Sequence, residues 1–374
     1  MILLTILIFV LVIGLLVFVH ELGHFVMAKK AGMKVEEFGF GFPPRLFGYK
    51  YKDTIYSINW IPLGGFVKIL GEDGESPDPD SFSSKSALRR FSVLIAGVLM
   101  NMVLAYVLIT GGLIAGLPTL VGEGETLAAG AKITDSRVTV LYVEEGSPAQ
   151  KAGMKSGDII AEIDGSAVTS VEEAQDVASL KSGSILTYAL ARGEESYTLD
   201  IIPRVNPPEG EGPIGIVLGM VGKVSYPWYR ALYLGAVNTF GLAVQILVAF
   251  GSLIKSLLTD RALIGSLTGP VGIAVLTRDA ARLGFSNLLY FTSVLSVNLA
   301  IINSLPFPAL DGGRVLFLII EKIRRKKLNA QFEGYANAVG FFLLLALMVW
   351  VTVKDVNRFS TQFGVLWDKI IGIF

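Results

Sequence analysis

Long runs without a charged residue alternate with polar stretches along this chain. Five runs are long enough to cross a bilayer, which takes about 20 apolar residues in a helix. They cover residues 1–19, 91–117, 231–254, 286–310 and 335–353. The pattern predicts an α-helical membrane protein. The first run lacks a basic start and a small-residue cleavage site, so we expect it to be retained.

The charges between these runs favour four transmembrane helices over five. Residues 25–90 contain ten Lys and Arg, whereas residues 123–223 contain 8 Lys and Arg against 16 Asp and Glu. Because basic loops stay in the cytoplasm, we place 25–90 inside and 123–223 outside, with both termini outside. A fifth span over 231–254 would put the basic cluster 322–327 outside. We therefore expect 231–254 to lie at the interface or against the protein.

Composition narrows the chemistry. The chain has 374 residues, is 52% hydrophobic and 17% charged, and contains no cysteine and two histidines. Disulfides and thiolate sites are excluded, so a metal must be held by imidazole and carboxylate. The formal net charge of zero gives no indication of a nucleic-acid partner.

The two histidines form an H-E-x-x-H motif directly after the first uncharged run. On a helix, His20 and His24 lie one turn apart on the same face and can bind one Zn²⁺. Glu21 lies between them and can act as general base. The alternative is a polar helix end with two unrelated histidines, but ionisable residues at the edge of hydrocarbon usually have a function.

A catalytic zinc needs a third protein ligand, and Asp311 is the best candidate. Lys30 occupies the position where the extended motif has a third histidine, and Glu36 and Glu37 are alternative ligands in a loop rich in Gly and Pro. Pro306 and Pro308 before Asp311, and Gly312 and Gly313 after it, break the helix and let the carboxylate turn towards a metal. A simple helix-end charge is the competing interpretation. With four spans, Asp311 and the histidines share the cytoplasmic side.

These residues resemble the site-2 protease family, specifically the bacterial regulator-of-sigma-E-protease branch. The resemblance rests on His20-Glu-Leu-Gly-His24 together with residues 303–313, Asn-Ser-Leu-Pro-Phe-Pro-Ala-Leu-Asp-Gly-Gly. It implies zinc bound by His20, His24 and Asp311, Glu21 as the catalytic residue, and Asn303 as a substrate-binding residue. Members often have His after Asp-Gly-Gly, where this chain has Arg314. Segments 39–42, 81–91 with Asn101, and 267–271 also resemble the family.

The cytoplasmic loop predicts a small β element. Residues 53–62 and 64–70 indicate two short strands joined through Pro62 and Gly64. An exposed edge formed by Gly65, Phe66 and Val67 can bind an extended substrate as an added strand. A purely structural hairpin is the alternative.

Residues 127–205 resemble a single PDZ domain. The predicted strands are 138–143, 159–165, 185–192 and 196–203, with a helix over 171–180. The run Gly146-Ser-Pro-Ala, Ala152-Gly and Gly157-Asp carries the resemblance. Such a domain can bind a substrate terminus, exclude bulky substrates, or serve as a spacer.

Together these expectations define a four-helix membrane protein with a membrane-associated cytoplasmic β element and one extracytoplasmic PDZ (α+β) domain. The predicted regions are 1–117 (two spans and the β element), 118–222 (the PDZ domain and its flanks), 223–285 (an extracytoplasmic or interfacial helical segment) and 286–374 (two spans with the proposed zinc ligand Asp311). The resemblance implies an intramembrane zinc endopeptidase of the bacterial cytoplasmic membrane, acting on membrane-anchored proteins such as anti-sigma factors or remnant signal peptides. A membrane-tethered adaptor without activity and a transporter are weaker alternatives.

Overall fold

The computed structural model describes residues 2–72, 74, 76–122, 127–193, 195–208, 210–259, 268–326 and 328–358. The helices are α1 (Ile2–Lys30), α2 (Ala87–Ala115), α3 (Pro148–Ala152), α4 (Val171–Leu180), α5 (Trp228–Thr259), α6 (Pro270–Arg282), α7 (Phe285–Ser304), α8 (Asp311–Arg324) and α9 (Ala330–Arg358). The strands are β1 (Val35–Tyr51), β2 (Thr54–Ile69), β3 (Leu117–Leu120), β4 (Lys132–Val143), β5 (Ile159–Ile163), β6 (Ser166–Ala167), β7 (Leu186–Arg192), β8 (Glu195–Ile201) and β9 (Ile216–Ser225). Residue 267 of the family-like segment, residue 327 of the basic cluster and the predicted external C-terminus lie outside the described residues.

Five of the described helices, α1, α2, α5, α7 and α9, are long and apolar enough to cross a membrane. They coincide with the five uncharged runs of the sequence. Helix α1 continues past the uncharged run to Lys30. The H-E-x-x-H motif therefore lies within one unbroken helix, as its spacing requires.

The chain divides into two compact units. The first contains Met1–Leu108, Ala236–Arg278 and Thr292–Phe374, and the second contains Ile109–Gly235 and Asp279–Phe291. Unit 1 includes most of the apolar helices and the β1–β2 sheet. Unit 2 includes the larger sheet with α3 and α4.

In unit 1, strands β1 and β2 form a sheet with an interrupted register. Phe38 in β1 lies opposite both Val67 and Tyr56 of β2, because β2 contacts this part of β1 on both sides. The sequence predicted two short strands broken at Pro62 and Gly64, whereas β2 is continuous from Thr54 to Ile69. The last part of β2 is left at an edge of the sheet.

Aromatic contacts hold this sheet against α1. The Phe38 ring lies 5.6 Å from the Phe18 ring and 4.8 Å from the Phe25 ring, measured between centroids. Close by, apolar residues from several elements of unit 1 form one buried cluster that includes Ala28, Val35, Ile69, Phe82, Val93, Leu94 and Leu318. Burial of each of the larger side chains, such as Ile69 or Leu94, contributes about 1.5–3 kcal/mol. The β element is therefore fixed to the helix that carries the two histidines.

Two further contacts order the helices of unit 1. Buried Ala105 of α2 packs with Val297 and Ile301 of α7, and one side of α5 packs against the same cluster. The buried carboxylate of Asp355, near the end of α9, accepts hydrogen bonds from two backbone N–H groups at the start of α6, those of Gly269 (2.9 Å) and Gly272 (2.7 Å). The end of α9 and the start of α6 therefore lie at the same level.

In unit 2, the strands form one sheet in the order β3-β9-β4-β5-β7-β8, with β6 paired to β5. The predicted helix over 171–180 is present as α4, and Ser170 and Glu173 form a capping box at its start. The domain predicted over 127–205 ends before β9, which lies between β3 and β4. The Pro- and Gly-rich stretch 207–215 separates β9 from the rest of the domain, which is why the local pattern did not include it.

A buried carboxylate directly before β5 contacts side chains of β7 and β8. Asp158 is fully buried, and its two oxygens accept hydrogen bonds from Arg192 Nε (2.5 Å) and Nη2 (2.7 Å). The Tyr197 hydroxyl also donates to Asp158, at 2.8 Å. Burial and this hydrogen bond raise the pKa of the Tyr197 phenol above its ordinary value. The phenol therefore remains a hydrogen-bond donor throughout the neutral range.

Candidate metal centre

Helix α1 brings the two imidazoles together because four residues make about one helical turn. His20 and His24 are each 7% exposed. Their Nε2 atoms lie 3.2 Å apart. Two neutral imidazoles with lone pairs directed at each other repel unless they share a proton or a cation.

Asp311 reaches the same point from the other end of the sequence. Helix α7 ends at Ser304, and a turn containing Pro306 and Pro308 leads into α8, which starts at Asp311. A side chain at the next position, Gly312, would clash, since a Cβ there would lie 2.3 Å from the Leu305 carbonyl oxygen. The Asp-Gly-Gly sequence therefore packs directly against the turn, which directs the carboxylate at the histidines.

The three ligand atoms form a nearly equilateral triangle. Asp311 Oδ2 lies 3.1 Å from His20 Nε2 and 3.2 Å from His24 Nε2. In a tetrahedral zinc site with bonds of about 2.0–2.1 Å, ligand atoms are roughly 3.3–3.4 Å apart. Asp311 Oδ2 is a buried atom whose two close partners are these imidazole nitrogens. The separations, and the convergence of three potential ligand atoms on one point, fit a zinc ion.

Groups from α2 surround the outer sides of the two rings. His24 Nδ1 lies 2.8 Å from the Val93 carbonyl oxygen, which can accept its proton and leave Nε2 free for a metal. His20 Nδ1 lies 3.3 Å from Asn101 Nδ2. Between them, Gly97 faces both rings, and a Cβ there would lie 2.4 Å from His24 Nε2 and 2.7 Å from His20 Cε1. Helix α2 thus approaches as closely as it does because residue 97 has no side chain.

The catalytic candidate Glu21 is held by the edge of the β1–β2 sheet. The backbone N–H of Val67 donates to Glu21 Oε2 at 3.1 Å. Gly65 lies beside the same side chain, since a Cβ at this position would lie 3.7 Å from Glu21 Cγ. In a strand, alternate residues direct their backbone groups to the same side. Val67 faces the site through its N–H, and Gly65, two positions away, lies beside Glu21 as well. Phe66 lies opposite Gly39 of β1.

The alternative ligands Glu36 and Glu37 have other partners. Glu36 pairs with Lys68 at 2.9 Å. Glu37 pairs with Arg45 at 2.6 Å and accepts a hydrogen bond from Ser57 at 2.7 Å. Among the described residues, the only group of three or more metal-ligating side chains brought together is His20, His24 and Asp311.

The remaining predicted residues lie in the same unit. Asn303 is half-buried in the last turn of α7, eight positions before Asp311. Arg314, at the position where the family resemblance leads us to expect histidine, pairs with Glu72. The Arg314 side chain is therefore directed at the loop after β2, which contains Glu72.

The sequence predicted no role for Gly97 or Val93. Asn101 was recognised only as part of a segment that resembles the family. Gly97 and Asn101 are four residues apart, so they share one face of α2. The sequence did contain a signal for the role of these two residues, because a glycine and an amide one turn apart in a membrane helix indicate close packing against a functional group. A backbone carbonyl such as that of Val93 leaves no signal in a sequence.

The chain is similar to a known protein family and to several known proteins. The model of peptidase family M50 matches residues 8–347. A relative from Clostridium acetobutylicum is 36% identical and covers 94% of this chain and 97% of its own length. The zinc metalloprotease RasP of Geobacillus kaustophilus is 30% identical, covering 94% and 97%. The regulator of sigma-W protease RasP of Bacillus subtilis is 29% identical, covering 95% and 98%.

Two solved structures are also similar to part of the chain. The PDZ domain of the SdrC-like protein from Listeria monocytogenes is 32% identical, covers 23% of this chain and 92% of its own, and has a TM-score of 0.21. The corresponding domain from Listeria innocua is 32% identical, covers 22% and 92%, and has a TM-score of 0.20.

The helices and the relatives together define a bacterial membrane protein of the zinc metalloprotease class, with zinc as its cofactor. More specifically, the chain belongs to peptidase family M50, the site-2 protease family. The family resemblance, the enzyme class and the cofactor predicted from the sequence are thereby confirmed.

Proposed function

We propose that this protein is an intramembrane endopeptidase that cuts transmembrane segments of membrane-anchored substrates in regulated proteolysis. The observation that carries the proposal is the triangle of His20, His24 and Asp311 at the ends of two membrane-length helices. Glu21 lies in the same helix as the histidines, beside the sheet edge. Anti-sigma factors and remnant signal peptides are the substrate classes we expect, in line with the relative named as a regulator of sigma-W protease.

In this proposal His20 Nε2, His24 Nε2 and Asp311 Oδ2 hold the zinc ion. When bound, a zinc ion acts as a Lewis acid and lowers the pKa of a water molecule coordinated to it to about 7. Glu21 accepts the proton of the attacking water at a carboxylate oxygen and delivers it to the leaving amine. The Val67 N–H fixes one of its oxygens, so the other is directed towards the reacting atoms.

The same sheet edge can hold the substrate. A transmembrane helix hides its peptide bonds because all its backbone groups are paired internally, so the substrate must unwind before it is cut. Gly65 and Val67 direct their backbone groups towards the site and can pair with an extended chain irrespective of its side chains. Phe66 supports the edge through its pairing with β1, and Asn303, in the last turn of α7, is proposed as a substrate-binding amide.

Cleavage and zinc content, measured side by side with a model transmembrane substrate, test this function. Glu21→Gln should abolish cleavage and leave roughly stoichiometric zinc, since glutamine cannot act as a base. Asp311→Asn should lower both zinc content and cleavage. An active Glu21→Gln variant would contradict the proposed chemistry. It would also favour the alternative of a membrane-tethered adaptor, which needs no base beside the metal.

We further propose four transmembrane helices, with the site near the cytoplasmic side. The contact of Asp311 with the histidines supports a common membrane level for the last third of α1 and the turn after α7. In this proposal α2 passes the same level at Val93–Asn101 and ends on the far side. Asn337 of α9 contacts the turn after α7, through a hydrogen bond from the Ala309 N–H at 3.1 Å. Helix α9 therefore starts at the metal level and ends, with Asp355, at the far side.

The bonds of Asp355 to Gly269 and Gly272 then put the start of α6 on that far side. In this proposal the chain is on the far side both after α2 and at Gly269, so residues 116–268 together make no net crossing. We therefore expect α5 to lie at the interface or against the protein. The basic residues Lys29 and Lys30 after the motif, and the cluster on α8, support a cytoplasmic position for the metal level.

The domain of unit 2 is proposed to be an extracytoplasmic PDZ domain that binds a substrate terminus. A groove of about 410 Å³ lies between α4 and β9, lined by Ala174, Gln175, Ala178 and Ser179 on one side and by Ile214, Ile216 and Leu218 on the other. Strand β3 pairs with β9 over Val221–Val224, and the Val121 N–H also donates to the Met220 carbonyl oxygen. Among the described residues, Ile216–Gly219 have no strand partner on this side of β9. An extended terminus can pair with the open edge and place an apolar side chain in the groove.

Filling the groove distinguishes recruitment from size exclusion. Ser179→Trp should block the groove and lower cleavage of full-length substrates roughly 10-fold, in line with a lost anchor side chain. Asp176→Trp, on the same helix but outside the groove, is the control. If Ser179→Trp leaves cleavage of these substrates unchanged, the groove does not recruit substrates. If the variant instead cleaves bulky substrates that the wild type rejects, the domain acts by size exclusion.

A further inference from the structure

Asn101 is a completely buried amide beside the proposed metal ligand His20. Its Nδ2 lies 3.3 Å from His20 Nδ1. Its Oδ1 is buried and has no hydrogen-bond partner among the described residues. A buried polar atom without a partner costs about 1–3 kcal/mol, so such an amide in a membrane helix needs a reason.

Zinc binding decides which ring nitrogen of His20 carries the proton. The Nε2 atom forms the triangle with His24 and Asp311, so its lone pair is the one available to the metal. The proton of the neutral ring must then reside on Nδ1. With Nδ2 facing it, two N–H donors would oppose each other at 3.3 Å. Rotating the amide by 180° exchanges its oxygen and nitrogen and converts this repulsion into a hydrogen bond.

In either orientation of the Asn101 amide, one of its two polar atoms has no partner among the described residues. The interaction of the other atom with His20 therefore determines which orientation is favoured. The Nδ1–H of a metal-bound imidazole is more acidic than that of a free ring and gains more from an acceptor. Its neighbour His24 already has one, the carbonyl oxygen of Val93 at 2.8 Å. Both acceptors lie on α2, one from the backbone and one from a side chain.

We propose that Asn101 is a positioning residue of the zinc site, whose Oδ1 accepts the Nδ1–H of His20 and fixes the tautomer and orientation of that ring. The inference rests on the proposed metal site. It predicts that an acceptor at position 101, rather than a group of the right size, sets zinc affinity. Asn101→Leu keeps the volume and removes the acceptor, whereas Asn101→Asp keeps the acceptor.

The zinc dissociation constant of the full-length protein in detergent, measured by competition with a chelating dye, tests this. Asn101→Leu should weaken zinc binding 10- to 100-fold, the usual range for loss of such a partner, and Asn101→Asp should bind within about 3-fold of wild type or more tightly. Ser296→Ala is the matched control. Its hydroxyl donates to the backbone carbonyl of Asn101 at 2.7 Å, so the substitution disturbs the same buried contact but not the amide. Its zinc affinity should be unchanged.

Nitrogen NMR with ¹⁵N-histidine gives a second readout, since the chain has two histidines and so four ring nitrogens. In the zinc-loaded protein both Nδ1 atoms should carry protons, and in Asn101→Leu only the His20 Nδ1–H signal should shift and exchange faster. Equal zinc affinity with an unchanged His20 signal in Asn101→Leu would overturn the inference. So would an Asn101→Asp variant that loses zinc as strongly as Asn101→Leu. If His20→Ala instead bound zinc as wild type does, the proposed metal site itself would be wrong.

Discussion

At the scale of single residues, the site depends on absent side chains as much as on present ones. The ligands His20, His24 and Asp311 define the metal, but Gly97 and Gly312 allow the neighbouring backbone to approach them. A methyl group at either position meets an atom closer than 2.5 Å. Gly97 is the more informative of the two, because what a side chain there meets is the pair of imidazoles.

Gly97→Ala should therefore weaken zinc binding roughly 100-fold or more, since the new methyl group displaces at least one imidazole that binds the metal. Zinc content and affinity of the purified variant measure this. Gly111→Ala is the matched control in the same helix, because a Cβ at Gly111 meets nothing within 4 Å. Its affinity should equal that of wild type. Normal zinc binding by Gly97→Ala would show that α2 does not pack against the rings as described.

At the scale of elements, β2 connects the catalytic carboxylate to the substrate. Its last part is an edge, and the Val67 N–H is directed to Glu21 and away from β1. One strand thus orients the base and offers the backbone groups that can pair with an unwound substrate. The aromatic contacts of Phe38 with α1 keep this strand at a fixed distance from the motif.

Val67→Pro removes this N–H and leaves the pairing of β2 with β1 in place. We expect cleavage to fall roughly 100-fold, as for a misplaced catalytic group, with zinc content unchanged. Val67→Ala keeps the N–H and should retain activity within a few-fold. Equal activity of the proline and alanine variants would remove the sheet edge from the mechanism.

At the scale of the whole molecule, two buried aspartates connect the apolar helices of unit 1. Asp311 brings the turn after α7 to the histidines of α1, and Asp355 brings the end of α9 to the start of α6. The proposed four crossings are compatible with both contacts and with the charge pattern of the sequence.

Reporter fusions test this topology. A fusion after Arg325 should report a cytoplasmic position, and one after Gly165, in an exposed turn of unit 2, should report an extracytoplasmic position. Both residues have positive φ values in surface turns, so an insertion there disturbs no helix or strand. An extracytoplasmic signal at Arg325 would require α5 to cross the membrane.

The sequence by itself determined the chemistry: two histidines at helical spacing, a glutamate between them, no thiolates, and five apolar runs whose lengths match a bilayer. These are local properties, set by the helix period and by the cost of charge in hydrocarbon. Only the tertiary structure decided that Asp311, rather than Glu36 or Glu37, meets the histidines, and that Gly97, Val93 and Asn101 surround them. Contacts between residues distant in sequence depend on how helices pack, and neither periodicity nor composition records that. The same holds for β9, which joins its sheet through pairing with β4 and β3 and has no local signal linking it to the domain.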